Sequence, residues 1–216
     1  MSFPFTVEQF LDVFKQYNLT VWPMQILLVV LALAMIFLAT FKRKYSAKFI
    51  SSGLVFYWAW IGVVYHFIFF TNINNAAYVF AALFVLQALL FFYFGIIEHT
   101  LHFRLVTNTK GLTAIIFFLY SLIFYPLLGY SFGHYYPSTP TFGLPCPTTI
   151  FTFGLLLLLE GRVNKVLFII PLLWAVIGFT AALKLGILQD IGLIVSALLT
   201  IVAFMFERKT KQFGEI

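Results

Sequence analysis

Charge is what this sequence has least of. Only 9% of its 216 residues are Asp, Glu, Lys or Arg, against about 25% in a soluble domain. Such a chain cannot cover a water-facing surface. Cysteine is nearly absent too: Cys146 stands alone, which excludes an intrachain disulfide and any CxxC pair for zinc or redox work. There is no Walker-type loop, GxGxxG, GxSxG or HExxH, so phosphate-loop, dinucleotide, serine-hydrolase and zincin chemistry lack their signatures. No basic n-region or small-residue cleavage site marks a secretory signal. No lysine lies within 187–206, which removes the Schiff-base residue a seven-helix retinal protein needs.

What is there in abundance is apolar. Hydrophobic residues make up 62% of the chain, and the mean hydropathy is +1.02. Runs of 18 or more apolar residues span bilayers. The pattern predicts an all-α membrane protein with seven spans, at 23–41, 49–71, 75–97, 112–132, 144–160, 164–183 and 187–206. Residues 1–22 precede this domain (23–206), and 207–216 follow it as a tail. FTVEQFLDVFKQY (5–17) puts Val7, Phe10, Leu11, Phe14 and Tyr17 on one helical face, with Thr6 and Gln9 at capping-box spacing. It is too polar to span, and either lies at the membrane surface or packs on the bundle.

The net charge of +6 is not a nucleic-acid signal, because the basic residues sit between apolar runs. Lys42, Arg43, Lys44, Lys48, Arg104, Lys110, Arg162, Lys165, Arg208, Lys209 and Lys211 fall on one side, and only Lys15 and Lys184 on the other. The positive-inside rule then places the N-terminus out and the C-terminus in. An odd number of spans requires opposite ends, so the two readings agree. Depth carries almost no charge, and Gln87, Ser121 and Ser196 are expected to bond between helices.

Chemistry-bearing residues collect on the outer side. The insert 131–147 holds Pro137, Pro140, Pro145 and Pro147 with Gly133 and Gly143, a stiff non-helical segment. Pro145 and Pro147 suit the first turn of the short fifth span. Cys146, Thr148 and Thr149 then lie at a helix N-terminus, where free N–H groups can hold an anion. The insert is read as lid or floor of an outward-facing pocket, lined by Trp22, Gln25, Tyr65, His66, His134, Cys146, Thr148, Thr149 and Asp190. The expected occupant is a small solute or ion. His66, His134, Cys146 and Asp190 are also the donor types of a transition-metal site. A metal-dependent enzyme or sensor and an accessory subunit therefore stay open as alternatives. EHTLHF (98–103) puts His99 and His102 at i and i+3 on one helical face, a second and weaker ligand pattern.

Four blocks carry a resemblance: FTVEQFLDVFKQYNLTVWPMQ (5–25), YHFIFFTNIN (65–74), GHYYPSTPTFGLPCPTTIFTFGLLLL (133–158) and LGILQDIGL (185–193). Together they resemble a family of small bacterial multi-pass membrane proteins classed as a domain of unknown function, some members of which carry a transporter-permease label. The resemblance implies a bacterial inner-membrane protein in contact with the lipid bilayer, and it supplies no catalytic residues, cofactor or oligomeric state.

Overall fold

Long apolar runs satisfy their backbone groups internally, and here they do so as helices. The computed structural model describes residues 4–41, 43–161 and 163–213, with side chains as far as Met205 in the last helix. Lys42, Arg162, residues 214–216 and the side chains of Arg208, Lys209 and Lys211 thus lie outside the described residues. In chain order the helices are α1 (Val7–Thr20), α2 (Met24–Thr40), α3 (Ser46–Trp60), α4 (Ala77–Phe92), α5 (Thr109–Leu119), α6 (Tyr125–Ser131), α7 (Pro145–Leu157), α8 (Val166–Leu185) and α9 (Ile191–Phe213). Among the described residues there is no β-strand, only two isolated bridges. The continuation of α9 to Phe213 makes 207–213 part of that helix rather than a separate tail.

Five helical rods are long and apolar enough to cross a membrane: Ser46–Asn72, Ala77–Ile97, Thr109–Ser131, Val166–Leu185 and Leu188–Met205. The pair α1 and α2 makes a sixth if counted as one broken span, bent by 83°. Pro23 cannot continue α1, which ends at Val21. Both capping-box hydrogen bonds between Thr6 and Gln9 are formed. Phe10 and Phe14 pack edge to face at 4.6 Å, and Val13, Phe14, Tyr17 and Asn18 are buried. Of the two placements expected for this helix, packing on the bundle is observed.

Helix α7 is apolar on all sides because it is enclosed on all sides. Every residue from Pro147 to Leu157 is buried, the condition under which a helix has no polar face. It has 13 residues, about 20 Å at roughly 1.5 Å per residue. The insert reaches its start by descending into the bundle: residues 131–136 are largely exposed, whereas Thr139, Pro140, Phe142, Gly143 and Leu144 are buried.

Three rods contain a π-helical stretch: Ile61–Phe69 after α3, Tyr93–Ile97 after α4 and Tyr120–Phe124 between α5 and α6. The last has a visible cause. Pro126 has no N–H, and its ring crowds the carbonyl four residues back. The helix widens just before it, and Tyr125 N–H bonds back to the Tyr120 carbonyl. A second proline explains a second detail. Pro171 lies inside α8 and leaves the Leu167 carbonyl without its helical donor. Gln87 Nε2 donates to that carbonyl at 3.1 Å. Ser121 and Ser196, by contrast, bond to Phe118 and Leu193 of their own helices, not between helices as expected.

The connecting segments meet at two ends. At one, Leu105 N–H reaches Ala39 O, Arg104 N–H reaches Leu158 O, Glu160 N–H reaches His102 O, and Arg104 pairs with Glu160 at 3.8 Å. The helical turn before them stops at Ile97, and His99 is left-handed with φ 54°. His99 and His102 therefore share no helical face, which corrects that ligand pattern. At the opposite end lie α1, the insert and the start of α9.

Candidate functional site

The insert is fixed first. Asn18, at the end of α1, is fully buried. Its Nδ2 donates to Pro137 O at 2.7 Å and Thr139 O at 2.8 Å. Its Oδ1 accepts from Thr141 Oγ1 at 2.7 Å. Gln25 Nε2 donates to Asn18 O at 2.9 Å. One amide side chain thus pins three carbonyl or hydroxyl groups of the insert. Gly143, at φ 100°, turns the chain into α7, and its N–H donates to Thr148 Oγ1 at 3.1 Å.

Beneath the insert is a cavity of about 100 Å³ between α1, the π-helical stretch of 61–69, the start of α7, the end of α8 and the start of α9. Phe10, Phe14, Tyr65, Phe70, Phe80 and Trp174 give it aromatic walls. Asn74 and the exposed Thr180 carry it to the surface. Gly178 packs closely beside the polar corner: a Cβ there would stand 2.7 Å from Leu193 Cδ2 and 3.6 Å from Cys146 Sγ. That corner is Asp190, in a 3-10 turn before α9. The Tyr125 hydroxyl donates to its Oδ1, and the Cys146 thiol lies beside it.

Tyr65, Cys146 and Asp190 line this cavity, and Trp22, Gln25, His66, His134, Thr148 and Thr149 do not. Trp22 is exposed, on the bend between α1 and α2. Gln25 serves Asn18, and Thr148 serves Gly143. The Thr149 hydroxyl is buried without a hydrogen-bond partner among the described residues, and His134 is half-buried in the turn after α6. His66 is fully buried among the rings of Tyr65, Phe70, Phe80, Phe84 and Trp174, at centroid distances from 4.7 Å (Phe84) to 6.0 Å (Phe70). It backs the cavity wall without opening onto it.

The proposed metal quartet is not assembled. Among the described residues no three His, Cys, Asp or Glu side chains are grouped to hold a metal ion. Aromatic rings enclose His66, while Cys146 and Asp190 face each other. The anion-binding reading of the α7 N-terminus also weakens. Prolines at 145 and 147 remove two first-turn N–H donors, and the carboxyl beside that end is the protein's own Asp190.

Tyr125 and Trp174 were missed from sequence. Tyr125 had a signal, because Pro126 in mid-span predicts a local distortion that re-aims its neighbours. Trp174 had none, since it is one aromatic in a run that is apolar throughout.

The fold and site define a helical protein with several membrane-length apolar helices and a small aromatic cavity at one end. The chain belongs to the Family of unknown function (DUF6064), whose profile matches residues 7–215. No curated protein and no solved structure matches it.

Proposed function

We propose that this is a seven-span membrane protein, N-terminus out and C-terminus in, whose outer cavity binds a small solute. The observation that carries the reading is Asp190. A buried carboxyl costs free energy unless something compensates it, and this one sits at a buried polar corner of an aromatic cavity that reaches the surface. The topology draws support from the seven helical rods α2 to α9, with α5 and α6 as one. It is also supported by the meeting of the basic loops at one end, as the positive-inside rule requires. Helices α2 and α7 are shorter than a full bilayer crossing; α7 is shielded by its neighbours, and α1 turns away from α2 by 83° to pack on the bundle. A bacterial cytoplasmic membrane is the location this reading implies, and permeation is a further step the same cavity would begin.

The metal-dependent alternative loses its ligand set. The test is a solute panel against purified protein in lipid nanodiscs, read by the fluorescence of Trp174, with Trp174→Phe assigning the signal. Saturable binding is expected, and its loss in Gly178→Val counts where the variant keeps the wild-type thermal midpoint, because a Cβ there also meets Leu193 Cδ2 at 2.7 Å. No response across charged, zwitterionic and neutral solutes would overturn the reading.

A further inference from the structure

Resting on the reading of this cavity as a solute site, the chemistry of its walls narrows the solute. Among the described residues no cationic side chain pairs with Asp190; its neighbours are the neutral hydroxyl of Tyr125 and the neutral thiol of Cys146. A positive group from outside would complete it. A bare metal cation is poorly served, since sodium- or calcium-like ions take about six oxygen ligands and this cavity presents mainly aromatic carbon. A cation whose charge is spread over an apolar body meets both demands. Its charge faces the carboxyl, and its methyl or methylene groups face the rings of Phe10, Phe14, Tyr65, Phe70 and Trp174, which attract cations through their π faces. Size sets a further limit. A dry cavity of about 150 Å³ holds benzene, so about 100 Å³ accommodates about four heavy atoms.

We propose that the cavity binds an alkylammonium group of trimethylammonium size, with Asp190 as its counter-charge and the aromatic walls as its cage. The same chemistry has two sources on the outer face of a membrane: a free amine, or the ammonium headgroup of a phospholipid entering past Asn74 and Thr180.

The experiment titrates full-length wild-type protein with trimethylammonium chloride and with 2-propanol, a neutral molecule of equal heavy-atom count, at constant ionic strength. The readout is Trp174 fluorescence. The cation is expected to bind at least tenfold more tightly than the alcohol, and Asp190→Asn to lose that preference. Should Asp190→Asn fail to fold, the wild-type comparison of cation and alcohol still decides. Equal binding of the two, or tighter binding of the alcohol, overturns the ammonium assignment and leaves the solute cavity standing. Absence of any response to either, or to the wider panel, removes both. Repeating the titration in phosphatidylglycerol nanodiscs, with and without phosphatidylcholine, separates the sources. Competition by phosphatidylcholine identifies a headgroup site, and unchanged affinity identifies a site for free amine.

Discussion

Two buried polar side chains, Asn18 and His66, are treated in opposite ways. The polar atoms of Asn18 itself are saturated: both Nδ2 protons, Oδ1 and the backbone carbonyl all have partners, while Gln25 Oε1 and Thr139 Oγ1 beside it have none among the described residues. Those of His66, packed against Trp174, are not: both ring nitrogens are buried without a hydrogen-bond partner among the described residues, and nearby Asp190 has the Tyr125 hydroxyl and the Cys146 thiol beside it. A saturated cluster is what holds an insert in place. An unsaturated one costs stability, and such a cost persists where a site serves something other than the fold. The difference marks Asn18 as a residue of the architecture, and the ligand we propose would sit on the Trp174 side.

The largest effect that could break this assignment is at Asn18. Asn18→Leu leaves the carbonyls of Pro137 and Thr139 and the hydroxyl of Thr141 to find new partners. At roughly 1–3 kcal/mol for each buried group left unsatisfied, a loss of about 3 kcal/mol or more is expected, read as a lowered thermal midpoint in detergent. The insert should loosen with it, so amide exchange of 137–144 should accelerate. A variant as stable as wild type would mean that the network is decoration.

Much of the frame was legible beforehand, and the reasons are physical. Composition alone forces apolar helices, the capping box at Thr6 starts α1 where its spacing says, Pro137 and Pro140 keep the insert out of helix, and Pro145 and Pro147 stand in the first turn of α7. Tyr65, Cys146 and Asp190, which line the cavity, were legible as span-end polarity in an apolar chain. What was not legible is convergence. His134 and Asp190 are equally polar and equally close to span ends, yet only one turns inward, and nothing in either segment's own sequence decides that. EHTLHF has helical ligand spacing, but the left-handed turn at His99 is set by where the loop must go to meet Leu158 and Glu160. The π-helical stretch that carries Tyr65 and His66 likewise follows from packing, since no proline marks it.

Gln87 tests an intermediate case, with one amide atom satisfied and the other not. Its Nε2 replaces the donor that Pro171 lacks, while its Oε1 is buried and has no partner among the described residues. Interhelical hydrogen bonds in membranes average only about 0.6 kcal/mol, so Gln87→Leu is expected to cost about 1 kcal/mol or less. The sharper measurement is a double-mutant cycle. Pro171→Ala gives residue 171 an N–H that can take the Leu167 carbonyl itself, and in that background Gln87→Leu should cost close to nothing. Additive costs would show that Gln87 is held by its packing and not by the carbonyl.

The smallest effect is the most telling, because its sign differs from that at Asn18. His66→Phe keeps an aromatic ring among Tyr65, Phe70, Phe80, Phe84 and Trp174 and deletes two nitrogens that have no partner. Removing unpartnered buried polar atoms while keeping the shape is neutral or stabilising, and the larger ring opposes this by crowding a filled site. The expected change in stability lies within about 1 kcal/mol of zero, against a loss of about 3 kcal/mol or more at Asn18. Because His66 backs the wall and does not line the cavity, trimethylammonium binding should survive. A loss as large as that at Asn18 would show that the imidazole is tied into the fold, and the contrast between the two regions would collapse. Retained stability with altered ammonium affinity would instead show that the wall transmits its packing to the cavity through Trp174, whose ring lies 5.1 Å from that of His66.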